Sequence, residues 1–172
     1  MAGSEPVLVA VVCDAGPVIH LDESGCLDLL ADFQQVLVPE AVWTEVARHR
    51  PAALAAGTLR LEKIATGGPV SPELESLSRA LLLHAGERAA LQVAQDRAGR
   101  WLLTDDTAAR LAARSLSITA HGTIGILLRA IRRRQRTKAE VLTILRALPH
   151  ASTLHLKRSF LNEIVREVEL LP

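Results

Sequence analysis

The sequence predicts a three-layer α/β/α domain with a mainly parallel central sheet and extra helices at its C-terminal end. Three observations predict it. Short apolar, β-branched segments alternate along the chain with stretches of helical periodicity. The first of them, residues 7–13, is apolar throughout instead of alternating, as a strand buried on both faces requires. The order strand, acid, helix then occurs twice, at Asp14 and at Asp105-Asp106. With 172 residues, 49% of them hydrophobic, the chain can bury one sizeable core, so residues 1–172 read as a single domain whose helical extension begins near 135.

The elements justify themselves in order. The run 7–13 stops at Asp14 and meets Gly16-Pro17, which places Asp14 at the C-terminal end of the first strand. Val36-Leu37-Val38 ends at Pro39, a residue suited to a helix start, and a helix follows over 40–49. Residues 59–64 fit either another strand or a helix tail, and Thr66-Gly67-Gly68-Pro69 is a clear breaker. Ser71-Pro72-Glu73 opens a helix to about His84; Gly86 is expected to interrupt it, and a second helix over 87–98 to be closed by Gly99. Residues 101–104 form a short strand ending in Asp105-Asp106, after which Ala108, Leu111, Ala112 and Ser115 recur at helical spacing. A strand over 117–120 leads through His121-Gly122 into a helix with apolar positions Ile124, Leu127, Leu128 and Ile131. Helices over 137–148 and 157–170 complete the chain.

Composition narrows the functional classes. The longest apolar run is far shorter than the roughly 20 residues that span a bilayer, and no signal-type segment opens the chain, so a soluble cytoplasmic protein is expected. Cys13 and Cys26 have no metal-binding spacing. With two Trp, two Phe and no Tyr, base-stacking platforms are excluded, and any nucleic acid would be bound by charge. That charge is segregated: residues 1–120 carry 10 Lys and Arg against 15 Asp and Glu, and residues 121–172 carry 10 against 4. A metal site beside a phosphate-binding surface needs such a division, although solvated helix faces produce it too.

Several carboxylates stand where apolar residues belong. Ala41, Val42, Glu45, Val46 and His49 share one helix face, so Glu45 is aimed at the core. Glu87 precedes Ala90, Leu91 and Ala94 by three, four and seven residues and so ends another apolar stripe. Asp14 and Asp105-Asp106 follow strands, where open α/β sheets place their ligands. Taken singly, Asp14, Glu87 and Asp106 read equally well as helix caps or first-turn acids, and Glu45 as a snorkelling or paired side chain. Taken together, converging carboxylates repel and call for protons or a cation, and oxygen-only ligands suit Mg²⁺ or Mn²⁺.

The pieces VVCDAGPVIHL (11–21), VLVPEAVWTEV (36–46), LLLHAGERAALQVA (81–94) and WLLTDDTAARLAA (101–113) resemble, in order and spacing, the PIN-domain family of metal-dependent ribonucleases. HGTIGILLRAI (121–131) and the helices after it resemble a prokaryotic subgroup related to the toxins of toxin–antitoxin pairs. The resemblance implies a catalytic set of Asp14, Glu45, Glu87 and Asp106, with Mg²⁺ or Mn²⁺ held by Asp14, Glu87 and Asp106 and with Asp105 as an outer ligand. It also implies an RNA substrate, an antitoxin partner and a homodimer, to which the Ala- and Leu-rich span 71–98 would contribute. Gly16 departs from the family, in which many members have a small hydroxyl residue there.

Other readings have less support. The phosphate-cradling Gly-x-x-x-x-Gly-Lys-Ser/Thr and the dinucleotide-binding Gly-x-Gly-x-x-Gly are both missing. A haloacid-type phosphatase wants Asp-x-Asp where the chain has Asp14-Ala15-Gly16, and a receiver wants an early acid pair and a late-strand Lys. The histidines lack His-x-x-x-His spacing, and His20, His49 and His84 read as ordinary surface or packing residues. A catalytically silent RNA-binding or protein-interaction module on the same fold is the alternative function. Arg129, Arg132, Arg133 and Arg136 fall at i, i+3, i+4 and i+7; they could guide RNA, dock an antitoxin, or simply be solvated.

Overall fold

A computed structural model of the chain describes residues 10–55, 59–97 and 101–172. Val7 to Val9 of the expected first strand, and the helix end expected at Ala98 and Gly99, lie outside them. Five strands, β1 (Ala10–Cys13), β2 (Gln35–Pro39), β3 (Leu61–Ile64), β4 (Trp101–Leu103) and β5 (Thr119–His121), form one sheet in the order β3-β2-β1-β4-β5. Every pairing is parallel. Val11, Val12 and Cys13 are buried, which explains why β1 shows no alternation. Residues 61–64 prove to be a strand: Val36 faces Leu61 in register, and Glu62 and Lys63 are exposed, as charges guarding a sheet edge should be.

Nine α-helices are present among the described residues: α1 (Ala15–Glu23), α2 (Glu40–His49), α3 (Pro51–Leu54), α4 (Pro72–Ala80), α5 (Ala85–Gln95), α6 (Thr107–Ser115), α7 (Thr123–Arg132), α8 (Lys138–Ala151) and α9 (Arg158–Leu170). The α5 helix lies on β1, β2 and β4 and packs against α2, whereas α7 packs against α1 and α8, giving an α/β/α sandwich. Val141, Leu145, Leu148, Leu161 and Val168 carry the C-terminal helices into the same core as the sheet.

Three local expectations are corrected. The break between α4 and α5 falls at 81–84, with Gly86 inside α5: Leu82 takes a left-handed φ of 53° and the Leu83 N–H donates to Ser78 O, closing α4 before His84 starts the next helix. In α6 the buried stripe is Ala109, Ala112 and Ala113, while Leu111 is 52% exposed. The basic residues do not continue one helical stripe either, because α7 ends at Arg132 and Arg134 turns left-handed at φ 57°.

Three of those four arginines fasten the end of α7 to the 3₁₀ helix Leu27–Asp32. Arg129 Nε and Arg133 Nε donate to Asp32 at 2.9 and 3.0 Å, and Arg129 also lies 5.5 Å above the Phe33 ring. Arg136 reaches Asp28 at 2.7 Å. The Asp32 side chain is only 9% exposed, against 55% for Asp28. Asp32→Ala removes the carboxylate shared by two largely buried guanidinium groups and is expected to cost about 3 kcal/mol in urea unfolding, whereas Asp28→Ala should cost less than about 1 kcal/mol.

Candidate active site

The strand order reverses at β1, which has β2 on one side and β4 on the other, and such a reversal leaves a crevice beyond the strands' C-terminal ends. Asp14 and the turn 104–106 flank it. Asp14 continues the β1–β4 pairing by donating its N–H to Leu103 O at 2.9 Å, and then caps α1, Oδ1 accepting the Ala15 N–H at 2.8 Å. Its Oδ2 accepts the Thr104 hydroxyl at 2.8 Å. The same hydroxyl oxygen takes the Asp106 N–H at 3.3 Å, so buried Thr104 joins the two acidic turns. Asp106 caps α6, accepting the Ala109 N–H at 2.7 Å.

Glu87 stands in the first turn of α5 and accepts the His84 N–H at 2.8 Å. Glu45 corrects the sequence reading, for it is exposed at the rim of the crevice while Val42 and Val46 beside it turn into the core. Gly86 lets these acids approach one another: a Cβ there would lie 3.3 Å from Glu45 Oε2 and 3.8 Å from Asp14 Oδ1. All four acids line one cleft of about 700 Å³, with Arg48 and four of the six histidines, His20, His49, His84 and His155, around them.

Asp105 also lines the cleft, and both of its oxygens accept hydrogen bonds. Oδ1 accepts the Thr123 N–H at 2.7 Å, and Oδ2 accepts the Thr123 hydroxyl at 2.6 Å and His20 Nδ1 at 2.9 Å. These bonds give Asp105 a structural role, tying the turn to α1 and α7. A Cβ on Gly122 would stand 2.5 Å from Asp105 Oδ1, so no larger residue fits. None of Arg129, Arg132, Arg133 and Arg136 lines the cleft.

The sequence reading of His20 as an ordinary surface or packing residue is corrected by its bond to Asp105, and Thr123 is a residue that sequence reasoning missed. Thr123 gave no signal beyond lying next to a glycine; Thr104 gave one, two residues before Asp106 in the piece WLLTDDTAARLAA, and His20 a faint one, four residues after Gly16 and so on the same face of α1.

Among the described residues no three His, Cys, Asp or Glu side chains form a ready-made cation cage. The chemistry of the four acids nonetheless fits an oxygen-preferring divalent cation. Burial, with the charges of Glu87 and Glu45 adding to it, pushes the Asp14 carboxyl from 3.8 up to about 6, although the Ala15 N–H and the Thr104 hydroxyl pull it down. A cation would offset that strain.

The shift fixes a pH dependence. Because the folded-state value is raised, Asp14 costs nothing below about pH 4, and its cost grows as pH rises toward about 6. Asp14→Asn in metal-free buffer should thus gain on the order of 2 kcal/mol at pH 7 by urea unfolding, the gain vanishing near pH 4. A loss at pH 7 would show that the cap bonds outweigh the charge.

No curated protein and no solved structure matches the chain. A family model described as a PIN domain matches residues 10–170. That span contains every strand and helix described above, together with the acids at the reversal of the sheet, and the chain belongs to the PIN-domain family.

Proposed function

We propose that this PIN domain is a Mg²⁺- or Mn²⁺-dependent endoribonuclease and the toxin of a toxin–antitoxin pair. PIN domains are typically nucleases, and the observation that carries the finer reading is the convergence of Asp14, Glu45, Glu87 and Asp106, from four separate segments, on one cleft at the sheet reversal. When bound, the cation supplies positive charge toward the attacking water and the leaving oxygen of a phosphodiester.

The protein's own part is geometry and charge. Asp14 keeps its rotamer through its cap bond and the Thr104 hydroxyl, Asp106 through its cap bond, and Glu87 through the His84 N–H. Each would face the cation with lone pairs the caps leave free. Arg48 on the rim would meet substrate phosphate. RNA as substrate, and an antitoxin as partner, are supported by the resemblance of residues 121–131 to toxin relatives. A contact on the span 71–98, with a second copy or the antitoxin, rests on the same resemblance. Among the described residues no helix is long and apolar enough to cross a membrane, and a cytoplasmic site of action belongs to the toxin reading.

The amide substitutions Asp14→Asn, Glu87→Gln and Asp106→Asn remove the charge and keep an acceptor for each cap bond, while Asp14→Asn also exchanges the oxygen that accepts the Thr104 hydroxyl for a donor. Each should lower Mn²⁺-dependent cleavage of single-stranded RNA about a hundredfold or more, as loss of a charge-stabilising group does. RNA bound but never cut by the unaltered protein, with either cation, would favour the silent binding module instead.

A further inference from the structure

His20 has no part in the reading above, yet it is the only side chain of α1 among the described residues that bonds the acidic turn across the cleft. Its Nδ1 lies 2.9 Å from Asp105 Oδ2, and both side chains are largely buried, 14% and 13% exposed. A carboxylate only accepts, so Nδ1 is the protonated ring nitrogen in this bond. Asp105 is gripped from the other side by Thr123, which is fully buried at the start of α7. The turn that presents Asp106 is therefore held at two points, His20 on α1 and Thr123 on α7.

Gly16 lies beside this contact. A Cβ at that position would stand 3.4 Å from Asp105 Oδ2 and 3.5 Å from His20 Cε1, so residue 16 faces the bond but offers it no donor. The imidazole reaches in from one helical turn further along α1 and supplies the donor instead.

We infer that His20 is a positioning residue of the cation site, its Nδ1–H holding Asp105 so that the 104–106 turn keeps Asp106 aimed into the cleft. The inference rests on the hydrolytic reading of the site. It assigns His20 no contact with the cation or the substrate. Partners bonded directly to a metal ligand typically change metal affinity by about 10- to 100-fold when lost, and His20, acting on Asp106 through Asp105 and the turn, belongs at the lower end of that range.

The test is calorimetric titration of Mn²⁺ into the metal-free full chain, run beside Mn²⁺-dependent cleavage of single-stranded RNA. His20→Ala is expected to weaken Mn²⁺ binding by about tenfold or more and to lower kcat while leaving KM for RNA unchanged. His20→Asn, whose side-chain amide places a donor near the Nδ1 position, should restore most of the affinity. The double variant Gly16→Ser/His20→Ala should also recover affinity, because a hydroxyl built on residue 16 comes within reach of Asp105 Oδ2. Mn²⁺ affinity unchanged in His20→Ala, or as weak in His20→Asn and the double variant as in His20→Ala, overturns the assignment. Absence of Mn²⁺ binding by the unaltered protein overturns the hydrolytic reading and the assignment with it, a result distinct from either of those.

Discussion

The pairing of β1 with β4 is the constraint on which the site depends. Cys13 faces Leu103 in register, and the next residue on each strand, Asp14 and Thr104, leaves the sheet at the same level. Once that register is set, the Thr104 hydroxyl can bond Asp14 and receive the Asp106 N–H, and the two acidic turns become one unit. A slip of one residue would send Asp14 to the opposite face of the sheet and separate the acids. The side chains fixing the register are apolar and buried, Val11, Val12, Leu102 and Leu103, so the chemistry of the cleft is set by residues that take no part in it.

That division explains what could be read from sequence. The strands were legible because unbroken β-branched runs have one economical structure, a strand buried on both faces, and the acids because charge at the end of such a run is conspicuous. Edge strand β3 was ambiguous, since a half-exposed strand bears the mixed pattern of a helix tail. Glu45 was misplaced for a different reason: helical spacing locates a residue to within a face, and the margin of a face is already solvent when a cleft runs alongside it. The arginines after residue 128 were read as a helical stripe because periodicity cannot reveal that Arg134 turns left-handed, nor that Asp32, almost a hundred residues earlier, awaits two of them. His20 illustrates the same limit, its partner being 85 positions away.

The choice posed by the sequence, cap or site, turns out to be no choice. Asp14 and Asp106 cap their helices, and Glu87 bonds the N-cap residue of its own, while all three line the cleft. A parallel α/β sheet points the start of each following helix toward the C-terminal ends of its strands, so acids gathered there also gather positive helix ends. Those N–H groups hold the carboxylates in fixed rotamers and offset part of their mutual repulsion. The acids can therefore be kept close in a folded protein before any cation arrives.

The offset is unequal, and the inequality locates the stored cost. Glu45 is exposed and water screens it, whereas Asp14 is 7% exposed and carries the penalty of burial together with the fields of Glu87 and Glu45. Two hydrogen bonds, from Ala15 and Thr104, return only part of it. Stability is thus given up at one carboxylate on the floor of the cleft, where a cation would recover it, and any ligand that binds the folded form alone stabilises that form by mass action. The same carboxylate that makes the empty site costly would make cation binding and folding mutually reinforcing, which is reason enough for so deeply placed an acid to sit at the reversal of the sheet.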